Sequence, residues 1–229
     1  MHKKPIDSIK KAIGEKAADL IEDGMHVGLG TGSTAFYFIE RLIHRCQEGL
    51  KIQAAASSVQ SLAQAKKGNI PLLDINQITS LDITVDGADE IDPQKRMIKG
   101  AGGALVREKI IASMSREMIV IVDESKCVHQ LGKCKLPIEI IPFAHMATLH
   151  KIEKLGYPGT FRKKADHSLY ITDNGNYIVD IPFKQPLTHP EEVHETLLHL
   201  QGVVDTGFFF NLAGRIIVGF FDGQIIIRS

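Results

Sequence analysis

A chain of 229 residues is long enough for a sizeable core and for one or two domains, of which two is the expectation. Lysine plus arginine (27) balance aspartate plus glutamate (27), so no global field draws the chain onto nucleic acid or a membrane surface, and any anion must be held locally. Three cysteines, Cys46, Cys127 and Cys134, lack C-x-x-C spacing and read as reduced thiols rather than a disulfide framework or zinc site; the charged first 24 residues do not read as a signal peptide, and no apolar run approaches the roughly 20 residues that span a bilayer, so a cytoplasmic location is expected.

From the N-terminus, Ile6, Ile9, Ile13, Ala17, Leu20 and Ile21 recur at helical spacing and stop at Gly24, which predicts an amphipathic first helix. Met25 to Leu29 follows as a short buried strand, then the glycine turn Gly30-Thr31-Gly32-Ser33-Thr34, then a helix with Phe36, Ile39, Leu42 and Ile43 on one face. Strands are expected at Ile52 to Ala56, Ile70 to Leu73 and Leu81 to Val85, with a helix from Val59 to Lys67 closed by Gly68. Arg107 to Ser115 reads as helix, and Met118 to Val122 as an apolar strand of the buried parallel type. This alternation points to the α/β class with a Rossmann-like doubly wound sheet.

Beyond Asp123, Pro137, Pro142, Pro158, Pro182, Pro186 and Pro190 punctuate shorter elements. The expected order is strand (Ile138 to Ile141), helix (His145 to Leu155), a hairpin turning at Asp173-Asn174-Gly175-Asn176, helix (Glu191 to Leu200) and strand (Val203 to Thr206). That order is the split βαβ of a smaller ferredoxin-like α+β domain. Phe208 to Phe210, Ile216 to Phe220 and Gln224 to Ile227 are expected to return to the first sheet. The anticipated domains are therefore 1–131 plus 207–229, and 132–206.

Gly30-x-Gly32-x-x-Ala35 formally matches a dinucleotide fingerprint, but that reading needs an acidic residue about 20 positions further on, and none occurs from Lys51 to Leu73. No Gly-Lys-Ser/Thr follows, so a P-loop fails too. What remains is a glycine turn with three hydroxyls, Thr31, Ser33 and Thr34, at a helix N-terminus, where unpaired amides and the helix dipole suit a phosphate monoester. The dipole contributes about 0.3 to 1 kcal/mol, so amide and hydroxyl hydrogen bonds supply most of the hold.

The second group is acidic. Asp86-Gly87-Ala88-Asp89-Glu90 lies at the carboxyl end of a strand, where open α/β sheets bind ligands, and Lys99-Gly100-Ala101-Gly102-Gly103 follows, leading into a helix with Glu108 in its first turn. A run containing Asp86, Asp89, Glu90 and Asp92 is in most proteins a solvated turn. The glycine loop shifts the balance, because it lets backbone approach a ligand closely and positions the helix that carries Glu108. Carboxylates, a lysine and a helix-borne glutamate in one place read as a proton-transfer site acting on an anion. His145 and His150, like His189, His194 and His199, are five apart and fall on different helix faces, so they read as packing residues rather than metal ligands.

The ordered set Gly28 to Ala35, Asp86 to Glu90, Lys99 to Leu105 with Arg107-Glu108-Lys109, Asp123 to Lys126, Thr172 to Asn176 and Thr206-Gly207 resembles ribose-5-phosphate isomerases of the A type over almost the whole chain. The resemblance implies interconversion of ribose 5-phosphate and ribulose 5-phosphate in the pentose phosphate pathway, with no cofactor and no metal, in a homodimer or homotetramer. It implies that Glu108 moves a proton between C2 and C1 through an enediolate, that Asp86, with Asp89 beside it, helps open the ring and shuttle hydroxyl protons, and that Lys99 offsets enediolate charge. Thr31, Gly32, Ser33, Thr34, Lys126 and Lys10 would hold the sugar phosphate, and Gly87, Ala88, Gly100, Ala101 and Gly102 would line it. Ala101 departs from a loop richer in glycine in that family, so one torsion there must suit an L-residue. A CoA transferase, with a covalent thioester on a glutamate, and a non-catalytic sugar-phosphate sensor are the rival readings.

Overall fold

The computed structural model describes residues 5–229. In chain order the regular elements are α1 (Ile6–Ala18), β1 (His26–Leu29), α2 (Ser33–Gln47), β2 (Gln53–Ala56), α3 (Val59–Lys67), β3 (Leu81–Asp86), β4 (Glu90–Ile91), β5 (Met97–Ile98), α4 (Leu105–Ser113), β6 (Ser115–Asp123), β7 (Leu136–Ile140), α5 (His145–Lys154), β8 (Thr160–Phe161), β9 (Tyr177–Ile181), α6 (Pro190–Leu198), β10 (Val203–Thr206), β11 (Phe208–Phe209), β12 (Ala213–Gly219) and β13 (Ile225–Arg228). No helix among the described residues is long and apolar enough to cross a membrane.

These elements form two compact units. The first comprises the chain up to Ala88, Arg107–Cys127 and Leu212–Ser229; the second comprises Asp89–Val106 and Val128–Asn211. The division differs from the anticipated boundaries in that residues 89–106, 128–131 and 207–211 group with the smaller unit; β4 and β5 pair with each other and with β11 there.

The first unit is a six-stranded sheet in the order β13-β12-β6-β3-β1-β2, parallel except for β13. Its parallel strands follow the flavodoxin-like order, with the topological switch point between β1 and β3. Alternation along the strands divides the faces. Val27, Leu29, Ile83, Val85, Ile119 and Ile121 join Phe38, Ile39 and Leu42 of α2 and Ile13 and Ala17 of α1 in the main core. Each fully buried large side chain there contributes roughly 1.5–3 kcal/mol. On the other face Gly28 and Thr84 lie against Ile111 of α4. α1 ends at Ala18, three residues short of expectation, since its last turn tightens into i to i+3 bonds and Arg45 caps the Ala18 and Ile21 carbonyls.

The second unit holds a four-stranded antiparallel sheet, order β10-β7-β9-β8, with α5 after β7 and α6 after β9. This is the ferredoxin-like arrangement. A three-stranded sheet, β11-β5-β4, completes it.

Three expectations need correction. Ile70 to Leu73 forms no strand, only one bridge between Leu72 and Ala54, because Pro71 has no N–H with which to continue a ladder. Phe208 and Phe209 pair with β5 rather than returning to the first sheet, a close approach that Gly207 permits: a Cβ there would lie 2.4 Å from the Lys99 carbonyl oxygen. The Asp173–Asn176 turn does not join two strands directly. The side chains of Thr172, Asn174 and Asn176 all donate to the buried Glu139 carboxylate on β7 at 2.8–3.1 Å, and β9 takes β8 as its partner on that side.

Gly14, within α1, lies against α2, where a Cβ would meet the Phe38 nitrogen at 2.7 Å and Tyr37 atoms at 3.0 Å. Helix propensity alone would favour alanine by about 1 kcal/mol. The contact is with backbone, which cannot rotate aside, so Gly14→Ala is expected to destabilise by about 1–3 kcal/mol, read as a lower urea midpoint at unchanged slope.

Candidate active site

Four parallel strands of the first unit deliver polar groups at their carboxyl ends. After β1 comes the Gly30–Thr34 turn. Gly32 adopts φ +104° at the N-cap of α2, a torsion that an L-residue resists, and no side chain caps that helix start. Its first-turn amides face outward with the hydroxyls of Ser33 and Thr34, both partly or fully exposed. After β3 comes Asp86, only 1 % exposed. Its Oδ1 accepts the Thr31 N–H at 3.0 Å and the Gly87 N–H at 2.7 Å. Gly30 makes this possible, because a Cβ there would lie 2.2 Å from that oxygen.

After β2, Ser57 extends the network: its hydroxyl bonds Thr31 Oγ1 at 2.8 Å and donates to the Leu29 carbonyl at 2.9 Å. Ser61 donates to the Gly30 carbonyl at 2.6 Å. Sequence reasoning passed over both serines, although two hydroxyls directly after a strand, Ser57 and Ser58, were a readable sign. After β6, the buried Asp123 caps the turn that carries the half-buried Lys126, bonding the Ser125 N–H at 3.0 Å.

Glu108 sits on α4, 4 % exposed. The end of α4 leads into Ser115, which pairs with Leu81 at the start of β3, so its first turn lies at the opposite, carboxyl end of the sheet. Ile111, one turn later, packs on Gly28 and Thr84, which places Glu108 on the sheet-facing side near the Asp86 level. Lys10 is half-buried on α1; its neighbours Ile9 and Ile13 pack on Gly219, the last residue of β12, at that same end.

Ala88 closes the first segment of the first unit, and the remaining predicted residues belong to the second. Asp89 accepts the Ala101 N–H at 2.9 Å. Lys99, 2 % exposed, donates its N–H to the Gly207 carbonyl at 2.8 Å and holds Nζ 5.4 Å from the centre of the Phe209 ring. Gly100 and Gly103 take the left-handed torsions of the loop, φ +105° and +81°, and flank Ala101 and Gly102. Two residues missed from sequence hold this loop: Arg162 donates to the Gly100 and Ala101 carbonyls, and Tyr170 to the Gly102 carbonyl. Burial, with nearby Asp173 adding to it, pushes the Tyr170 phenol above its ordinary value, which keeps it a donor.

The acidic run therefore divides. Glu90 accepts the Gly132 and Cys134 N–H groups, and Asp92 pairs with Arg96 at 2.6 Å and closes the 92–96 turn, so both are structural. Among the histidines, His145 packs on Phe161 and Tyr177, and His194 bonds Thr206 Oγ1 at 2.7 Å. Burial raises the Cys46 and Cys127 thiols, which makes them poor nucleophiles.

Fold and geometry define a class: an α/β protein whose candidate site opens at the carboxyl ends of a flavodoxin-like sheet, with a helix N-terminus and a buried carboxylate at the switch point. The model of the family described as ribose 5-phosphate isomerase A (phosphoriboisomerase A) matches residues 53–223. The ribose-5-phosphate isomerase A of Protochlamydia amoebophila is 53 % identical over 220 residues, 96 % of this chain and 95 % of its own. Among solved structures, ribose 5-phosphate isomerase from Plasmodium falciparum superposes with a TM-score of 0.93 at 38 % identity, over 97 % of this chain and 98 % of that one. A D-ribose-5-phosphate isomerase in complex with phospho-erythronic acid superposes with a TM-score of 0.92 at 36 % identity, over the full length of both. The chain belongs to the ribose 5-phosphate isomerase A family.

Asp86→Asn keeps an acceptor for Thr31 and Gly87, whereas Asp86→Ala leaves two N–H groups unpaired at about 1–3 kcal/mol each. Denaturant melts should therefore show Asp86→Ala clearly destabilised and Asp86→Asn close to the parent.

Proposed function

We propose that the protein interconverts D-ribose 5-phosphate and D-ribulose 5-phosphate through an enediolate, by acid–base chemistry that requires neither cofactor nor metal. The observation that carries this reading is a buried carboxylate on α4 at the same end of the sheet as Asp86 and the Thr31 turn, in a chain of this family. Exchange of an aldose for a ketose needs one base that takes and returns a proton, and a clamp on the oxygens where charge develops.

Glu108 is the base, removing the C2 proton and delivering it to C1. Asp86, with Asp89, opens the ring and moves protons between the hydroxyl oxygens. Lys99 offsets the enediolate charge, with Gly87, Ala88, Gly100, Ala101 and Gly102 lining the reacting end. Thr31, Gly32, Ser33 and Thr34 at the start of α2 take the phosphate, where amides and the helix dipole favour an anion, and Lys126 and Lys10 add positive charge. We assign the activity to the non-oxidative pentose phosphate pathway and the protein to the cytoplasm, as a homodimer or homotetramer.

Incubation with ribose 5-phosphate in heavy water and excess EDTA tests the reaction. Ketose is expected in spite of the EDTA, with deuterium at C1 in proportion to the exchange of the Glu108 proton with solvent; failure to form ketose, or dependence on added metal, overturns the reading. Glu108→Gln should abolish turnover while sugar-phosphate binding persists, and a fully active variant removes Glu108 from the mechanism. Lys99→Ala should lose on the order of 100-fold in kcat, as when an oxyanion partner is removed; an effect confined to KM reassigns Lys99 to binding.

A further inference from the structure

Arg162 follows β8 and extends its ladder, donating its N–H to the Ile178 carbonyl at 2.8 Å. Diagonally across the strand pair stands Asp180 of β9, whose carboxylate takes Nε at 2.9 Å and Nη2 alongside. The remaining guanidinium nitrogen, Nη1, donates to two consecutive carbonyls, Gly100 and Ala101, each at 2.9 Å. The planar fork is thus spent on one carboxylate and two backbone oxygens, a pattern that the single nitrogen of lysine cannot reproduce. All of these residues lie in the second unit.

A trans peptide is planar, with its C=O and N–H pointing to opposite sides. Holding the Gly100 carbonyl therefore sends the Ala101 N–H away from Arg162, and there it meets Asp89 Oδ2 at 2.9 Å. Holding the Ala101 carbonyl with the same Nη1 sends the Gly102 N–H away from the guanidinium by the same geometry. Tyr170 fixes the next carbonyl, at 3.3 Å from Gly102 O, and its ring lies 5.9 Å from the Arg162 guanidinium carbon. Gly103 leaves room for it, since a Cβ there would lie 2.3 Å from the phenol oxygen.

We infer that Arg162, anchored by Asp180, is a positioning residue for the isomerisation: it turns the peptide planes after Lys99 so that the Gly102 N–H donates to the oxyanion developing on the reacting carbons. This rests on the proposed aldose-ketose reaction. Arg162 touches no reacting atom in this scheme and acts only through the loop.

Steady-state kinetics with ribose 5-phosphate, and competition by phospho-erythronic acid and by inorganic phosphate, are measured on the parent protein, Arg162→Lys and Asp180→Asn. In phospho-erythronic acid the carboxylate stands as many carbons from the phosphate as C2 does in the open pentose, so it reports on the enediolate subsite. Arg162→Lys should lower kcat on the order of 10- to 100-fold with little change in KM, the pattern of an interaction made in the transition state. Affinity for phospho-erythronic acid should fall in parallel, and that for inorganic phosphate should hold. Unchanged kcat in a folded Arg162→Lys overturns the inference, as does an equal loss of inorganic phosphate affinity, which marks a general structural role. If Arg162→Lys does not fold, Asp180→Asn, which loosens the anchor and leaves the guanidinium in place, decides by the same criteria. A parent protein that does not isomerise ribose 5-phosphate overturns the underlying reading instead, and the two failures are thereby told apart.

Discussion

The structure turns on the Asp86 carboxylate, because one oxygen accepts N–H groups from both sides of the switch point. Through Thr31 it fixes the turn after β1, and through Gly87 the exit from β3. A carboxylate this deeply buried is tolerated only when its oxygens are bonded, and here the bonds also set the direction of the α2 N-terminus. Gly30 is the steric condition for the contact. The serine network below it, from Ser57 to Thr31 and from Ser61 to the Gly30 carbonyl, fixes the same turn from the β2 side. Stability and the presentation of the candidate phosphate site are therefore two results of one hydrogen-bonded knot.

Four acidic residues within seven positions do different work, and the partner of each carboxylate decides which. Glu90 and Asp92 spend their lone pairs on backbone N–H groups and on Arg96, stitching β4 to the Gly132 segment and closing a turn. Asp89 holds the peptide that precedes Gly102. All four are carboxylates of one short run, and nothing in that run assigns their different tasks, so the fold separates them.

The larger elements were legible because each carries an amphipathic stripe or an apolar run of sufficient length; Val59–Lys67 and Val203–Thr206 match their expected limits. The glycine turn and the strand-end acids were legible for a chemical reason, since hydroxyls and carboxylates are concentrated there beyond what a turn requires. What escaped falls below the reach of periodicity. Strands β4, β5 and β8 have two residues each, too few for an alternation to show, and Phe208–Phe209 of β11 finds its partner β5 far back along the chain. Ile70 to Leu73 has the composition of a strand but is interrupted by Pro71. Arg162 stands in a basic Arg-Lys-Lys run that reads as a solvated surface, and its grip on Gly100 and Ala101 exists only through the pairing of β8 with β9.

The threading of the chain between the two units has a consequence for biosynthesis. It passes from one to the other after Ala88, Val106, Cys127 and Asn211, so neither unit is a continuous stretch. β6 needs β12 as its outer neighbour, and β5 needs β11, each from much further along the chain. A nascent polypeptide emerging from the ribosome would therefore carry β6 with one edge uncovered until Ala213–Gly219 had been translated. Such non-local closure is slow and leaves apolar strand edges exposed meanwhile, which makes the half-translated chain aggregation-prone in a way that the finished fold is not.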